Sequence, residues 1–202
     1  MDWLLIIVLL PLLAAAAVGF VPGSQRRAIR GITIGASGSS LLCALIAFCT
    51  FNLDGGLQFE TKVVWVESLR LHFHLAADGI NIGIILMGSI VAFAAACCAD
   101  DITHRVKEFH ILLNLMIGGI LGAFASMDLF FFYFFHELAL VPTFIMIGVW
   151  GRGANRNYAT YKITLYLSLG ALLALIGLIG VYVQTGAESF SIPNLIASVQ
   201  ES

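Results

Sequence analysis

An all-α integral membrane protein is the fold class this sequence predicts, and three observations predict it. Of the 202 residues, 60% are apolar and only 11% charged, against about 45–50% and roughly 25% in soluble domains. The mean hydropathy is +0.98. The apolar residues also gather into six runs, each close to the ~20 residues that cross a bilayer as a helix. One soluble core of this size still exposes much of its surface and cannot hide the excess. A water-soluble enzyme is therefore not expected, nor is a disordered or fibrous chain.

The six runs are 3–21, 31–51, 80–98, 109–126, 129–150 and 163–183. Together they define a transmembrane domain over 1–183. The first run reads as a retained span, because Met1-Asp2 offers no basic flank and the run is long for a signal peptide. The second is rich in Gly and Ser, which lets helices approach closely. None of the six carries a charge except the fifth, which contains Glu137.

Basic residues set the orientation. Arg26, Arg27 and Arg30 follow the first span, Arg105 and Lys107 the third, and Arg152, Arg156 and Lys162 the fifth. Only Lys62 and Arg70 lie on the other side, in the loop 52–78. The odd loops are expected in the cytoplasm and both termini on the outer, periplasmic side.

Within that long loop, Leu69, Leu71, Phe73 and Leu75 alternate with Arg70, His72 and His74, the period of a half-buried strand. Pairing with Lys62–Val66 through a turn near Glu67-Ser68 predicts a small β-hairpin on the outer face. His72 and His74 are expected to face solvent rather than to form half a metal site. The tail 184–202 is weakly amphipathic, with Ile192, Leu195, Ile196 and Val199 at helical spacing and Pro193 suiting a first turn. It reads as a surface helix.

Net charge is −2 and no basic run exceeds three residues, so no nucleic-acid partner is expected; the lipid bilayer is the evident one. Cys43, Cys49, Cys97 and Cys98 sit in apolar stretches without a CxxC pair and read as small apolar filler. No cofactor, redox centre or metal is expected in this chain.

Chemistry centres on Glu137, nine residues into the fifth run. An acid at mid-depth costs roughly 2.5–3.5 kcal/mol on insertion scales, and low dielectric favours its neutral form. Such a group can take up and release a proton as a nearby cation approaches or leaves, which makes Glu137 the candidate proton relay. The alternative is a permanently neutral acid hydrogen-bonded across a helix interface. Pro142 lacks an N–H, so the Leu138 carbonyl loses its helical partner and a kink is expected beside the acid. Lys162 shares a helix face with Tyr158 and Tyr166; it reads equally as a charge partner and as a snorkelling anchor. His136 points about 100° away from Glu137 and reads as a secondary relay or a hydrogen-bond donor to another helix. Asp128 suits an N-cap, and His104 and His110 lie near a helix end without a distinguishing partner.

The run Asp128-Leu129-Phe130 through His136-Glu137-Leu138-Ala139-Leu140-Val141-Pro142, followed by Ile147-Gly148-Val149-Trp150-Gly151, resembles the M-type antiporter-like membrane subunit of NADH:quinone oxidoreductase (respiratory complex I). The stretches His74-Leu75-Ala76-Ala77-Asp78-Gly79-Ile80 and Tyr161-Lys162-Ile163-Thr164-Leu165-Tyr166 support it, and Mrp-type cation/proton antiporter subunits are related. The resemblance implies a subunit of the cell's inner membrane that helps move protons, with NAD, FMN, iron–sulfur clusters and quinone held by partner subunits of the complex. It implies that Glu137 matches the family's key acid. The later lysine of that mechanism has no counterpart in these residues, so an N-terminal portion is implied; His136 stands where many relatives have tryptophan. A stand-alone cation/proton antiporter subunit and a purely structural assembly fragment are the competing readings.

Overall fold

A computed structural model describes residues 2–67, 71–186 and 189–201. It has six helices long and apolar enough to cross a membrane. They are α1 (Trp3–Phe20), α2 (Arg26–Thr50), α3 (Asn81–Cys98), α4 (Val106–Ala125), α5 (Leu129–Trp150) and α6 (Arg156–Thr185). A shorter helix, α7 (Ile192–Glu201), follows, with Pro193 in its first turn.

The helices outrun the apolar windows at their basic ends. Helix α2 starts at Arg26 and α6 at Arg156, so Arg26, Arg27, Arg30, Arg156 and Lys162 are helical rather than loop residues. Hydropathy marks the hydrocarbon-facing part of a helix, whereas the backbone stays helical for another turn or two once the side chains can reach water.

Helix α4 is the axis of the packing, with α1 and α5 as its neighbours, and α2 and α3 close the bundle. The core runs through Leu4, Ile7, Val8, Ile85, Leu121, Phe131 and Phe135. Two glycines on α4 make its contact with α5 possible. A Cβ on Gly119 would fall 2.7 Å from the Ala139 nitrogen, and one on Gly122 2.5 Å from the Phe135 ring. Small residues thus let the backbones meet, as membrane interfaces require where lipid is as apolar as leucine. Helix α6 lies on the rim against α5 and α7, and Ala171 is its one buried residue.

Between α2 and α3, β1 (Gln58–Val66) and β2 (Leu71–Ala77) pair antiparallel, with Lys62 opposite His74 and Val64 opposite His72. The expected turn near Ser68, with Leu69 and Arg70, lies outside the described residues. Phe73 and Trp65 set their rings edge-on to Phe131 at 5.2 and 5.7 Å, which pins the sheet to the start of α5.

The alternation read from the sequence fails in the second half of β2. His74 is 3% exposed, with Leu75, Ala76 and Ala77 buried beside it. The cause is a second neighbour: the Met127 N–H donates to the His74 carbonyl at 2.8 Å, and Leu75 bridges Ser126. That pairing closes the strand's free edge, and α1, α4 and α5 pack against β2, so His74 is not the solvent-facing group expected. His72 is partly buried.

Candidate functional site

Helix α5 begins at Asp128, whose carboxylate accepts hydrogen bonds from the Phe130 and Phe131 N–H groups at 3.0 and 3.4 Å. That is the N-cap role its position suggests. The segment is held from both sides: Met127 bonds β2, while the Leu129 N–H donates to the Phe190 carbonyl at 2.9 Å and the Ile192 N–H to the Met127 carbonyl at 2.9 Å. Burial pushes the Asp128 carboxyl above its usual range, against the backbone N–H groups that favour its charge. Burial likewise holds the His74 imidazole below its usual value, opposed by the Glu60 carboxylate 2.9 Å from Nε2. These two groups stand at the N-terminal end of α5, and the sequence alone does not pair them.

Two turns into α5, Glu137 is part of the helix surface, 36% exposed. The six helices of this chain enclose it only in part. His136 stands beside it, its Nδ1 3.9 Å from Glu137 Oε1, beyond hydrogen-bond reach. The His136 ring stacks on Tyr133 instead, with centroids 6.2 Å apart. Lys162 is exposed on α6, its Nζ 6.0 Å over the Tyr158 ring. Among the described residues it forms no ion pair with Glu137. The two are thus on adjacent helices without being brought together.

Helix α5 continues as one element through Pro142, which is buried. The Thr143 hydroxyl donates to the Ala139 carbonyl at 2.8 Å and also lies 3.4 Å from the Met116 sulfur. No N–H exists at Pro142 for the Leu138 carbonyl, one residue beyond Glu137. A backbone acceptor and a carboxyl are therefore adjacent in sequence at mid-helix. Chemically, this can store a proton and receive water.

Residues 126–201 match the family described as NADH:quinone oxidoreductase/Mrp antiporter, transmembrane. Over 190 residues the chain is 35% identical to NAD(P)H-quinone oxidoreductase chain 4, chloroplastic, of Angiopteris evecta, covering 92% of this chain and 38% of that one. It is 32% identical to NAD(P)H-quinone oxidoreductase chain 4 1 of Synechococcus sp. (strain JA-3-3Ab), covering 95% of this chain and 36% of the relative. In structure it resembles a chain of respiratory complex I from Thermus thermophilus with bound NADH, at TM-score 0.81 and 27% identity over 98% of this chain and 39% of that one. A chain of the archaeal membrane-bound sulfane sulfur reductase shares the fold, at TM-score 0.74 and 21% identity over 92% of this chain and 28% of that one. The chain thus spans under two fifths of the length of the curated relatives it matches. This multi-pass membrane chain thus matches the NADH:quinone oxidoreductase/Mrp antiporter family over 126–201 and, along nearly its whole length, is similar to antiporter-like subunits of complex I.

Proposed function

We propose that the chain works in the membrane arm of NADH:quinone oxidoreductase, where it helps translocate protons while other subunits transfer the electrons. The observation that carries this reading is Glu137 itself: the one acid in the six apolar runs, at mid-helix in α5, next to the Leu138 carbonyl for which Pro142 offers no N–H. A carboxyl in low dielectric changes protonation state when a nearby charge changes, and intramembrane acids are functional by default. Lys162, on the neighbouring helix and free of a carboxylate partner among the described residues, is the charge available on this chain to bias it. His136 would serve as a secondary relay. The chain contributes as a non-redox translocase subunit; NAD, FMN, iron–sulfur clusters and quinone would reside in the partners.

Eight of the ten Lys and Arg residues lie toward one end of the bundle, which supports a cytoplasmic position for that end in the inner, plasma membrane. Both termini and the strand pair of the loop 52–78 then face outward, with 1–183 as the membrane body and 184–202 as a surface tail. The family description couples the oxidoreductase with Mrp antiporters, which favours cation/proton exchange as the second reading.

Glu137→Gln in the assembled complex tests the first. Proton uptake by inverted vesicles, followed by a pH-sensitive dye, is expected to collapse while the complex still assembles. Intact pumping in that variant refutes the role of Glu137. Cation/proton exchange in vesicles without NADH-driven electron flow would favour the antiporter.

A further inference from the structure

A second polar site lies inside the bundle, built by α2 and α4 rather than by α5. His110 and Asn114 stand one turn apart on α4, and Thr33 faces them from α2; all three are 0% exposed. The Asn114 amide nitrogen donates to Thr33 Oγ1 at 2.8 Å and to the His110 carbonyl at 2.8 Å. Thr33 spends its own hydrogen on the Ile29 carbonyl at 3.2 Å, so it is the acceptor toward Asn114. One turn away Arg30 pairs through a terminal nitrogen with Asp100, which is 68% exposed.

Those bonds leave four buried polar atoms without a partner among the described residues: Nδ1 and Nε2 of His110, Oδ1 of Asn114 and Nε of Arg30. An imidazole has at least one N–H to donate, an amide oxygen only accepts, and a guanidinium nitrogen only donates. Orphaned groups of this kind are rare in native interiors, and hydrocarbon around the bundle supplies none of the missing partners.

We propose that Arg30, Thr33, His110 and Asn114 hold internal water, forming a hydrated site that gives the His110 ring proton exchange with the surface at the Arg30–Asp100 end. Water is the ligand that fits the donor set. It donates to Oδ1 of Asn114 and accepts from Nε of Arg30, and it answers either ring nitrogen of His110 in any tautomer. An anion would meet Oδ1 of Asn114 and the Asp100 carboxylate; a cation would meet Arg30. The ionisable groups facing the site are Arg30 from α2 and, behind it, Asp100 from the turn after α3. Helix α1 has none, and Lys107 is committed to the Gly19 carbonyl at 2.7 Å. The site does not depend on the role proposed for Glu137.

Hydroxyl-radical footprinting of the complex containing this chain, in heavy-oxygen water, tests it, because bound water activated in place labels the side chains it touches. His110 is expected to take up label although it is fully buried, and Thr33→Val combined with Asn114→Leu is expected to abolish that label. If the double variant does not assemble, labelling of the wild type and a high-resolution density map decide. An unlabelled His110 in the folded wild type overturns the site. So does a map that places Arg30 Nε directly on a His110 ring nitrogen, or label that survives the double variant.

Discussion

Asp128 is the position where loss of a single atom type has the clearest structural consequence. Its carboxylate is fully buried and caps two N–H groups of α5 at 3.0 and 3.4 Å. Asp128→Ala removes an N-cap, worth about 0.5–2 kcal/mol, and leaves at least one N–H orphaned, at about 1–3 kcal/mol. The expected loss is about 2–4 kcal/mol, partial overlap between the two effects included. Asp128→Asn keeps the acceptor oxygen and should stay within about 1 kcal/mol of the wild type.

The two variants also differ in pH response. Because burial raises the folded-state carboxyl above its unfolded value, the protonated form is the better tolerated in the fold. That contribution is complete below the unfolded value and is lost as pH rises through the folded one. Asp128→Asn removes this dependence. Unfolding in mixed detergent micelles, followed by tryptophan fluorescence across pH, measures both effects. An alanine variant as stable as wild type, or an asparagine variant as damaged as alanine, refutes the capping argument.

Three further outcomes concern helix packing and His74. Gly119→Val should separate α4 from α5, since its Cβ would meet the Ala139 backbone at 2.7 Å; overpacking of this kind costs about 1–3 kcal/mol or more. Gly177→Ala, with open space around it, should be neutral or stabilising by up to ~1 kcal/mol in the same assay. For His74, whose folded-state value burial depresses, stability is full above the unfolded value near pH ~6.5 and falls as pH drops from there through the folded one. Melting temperatures between about pH 8 and pH 5 should show that decline, and His74→Gln should flatten it; an unchanged profile in the variant counts against the assignment.

What could be read from the sequence was whatever depends on local pattern. Six apolar runs became six helices, Asp128 became a cap, and Glu137 fell in the middle of α5, because hydropathy and capping act within a few residues of the chain. Helices α2 and α6 start before their apolar runs, at Arg26 and Arg156, since a long basic side chain is polar at its tip and apolar along its stem. His74 was misread because its surroundings come from segments distant in sequence, the Met127 edge contact and the helices packed on β2, to which period-two patterning is blind. The partners of His110 were invisible for the same reason, although His110 and Asn114, at i and i+4 in the otherwise apolar run 109–126, were a legible sign of a polar face.

The exposure of Glu137 sets the strongest constraint on how the site works. At mid-span, 36% of its side chain is left open by α1–α6. Facing hydrocarbon, an ionised carboxylate costs roughly 2.5–3.5 kcal/mol or more. Charge cycling at Glu137 therefore requires polar partners or water beyond those that α1–α6 supply, brought by whatever covers this face of α5. A hydrophobic carbodiimide discriminates the two states, because it reaches carboxyls through lipid and reacts with their protonated form. Glu137 is expected to label readily when this chain is studied alone in lipid, and to label slowly, with a rate that changes during turnover, in the assembled complex. Equal labelling in both settings would mean that nothing covers the acid in the complex, and the requirement for partners on this face of α5 would fall.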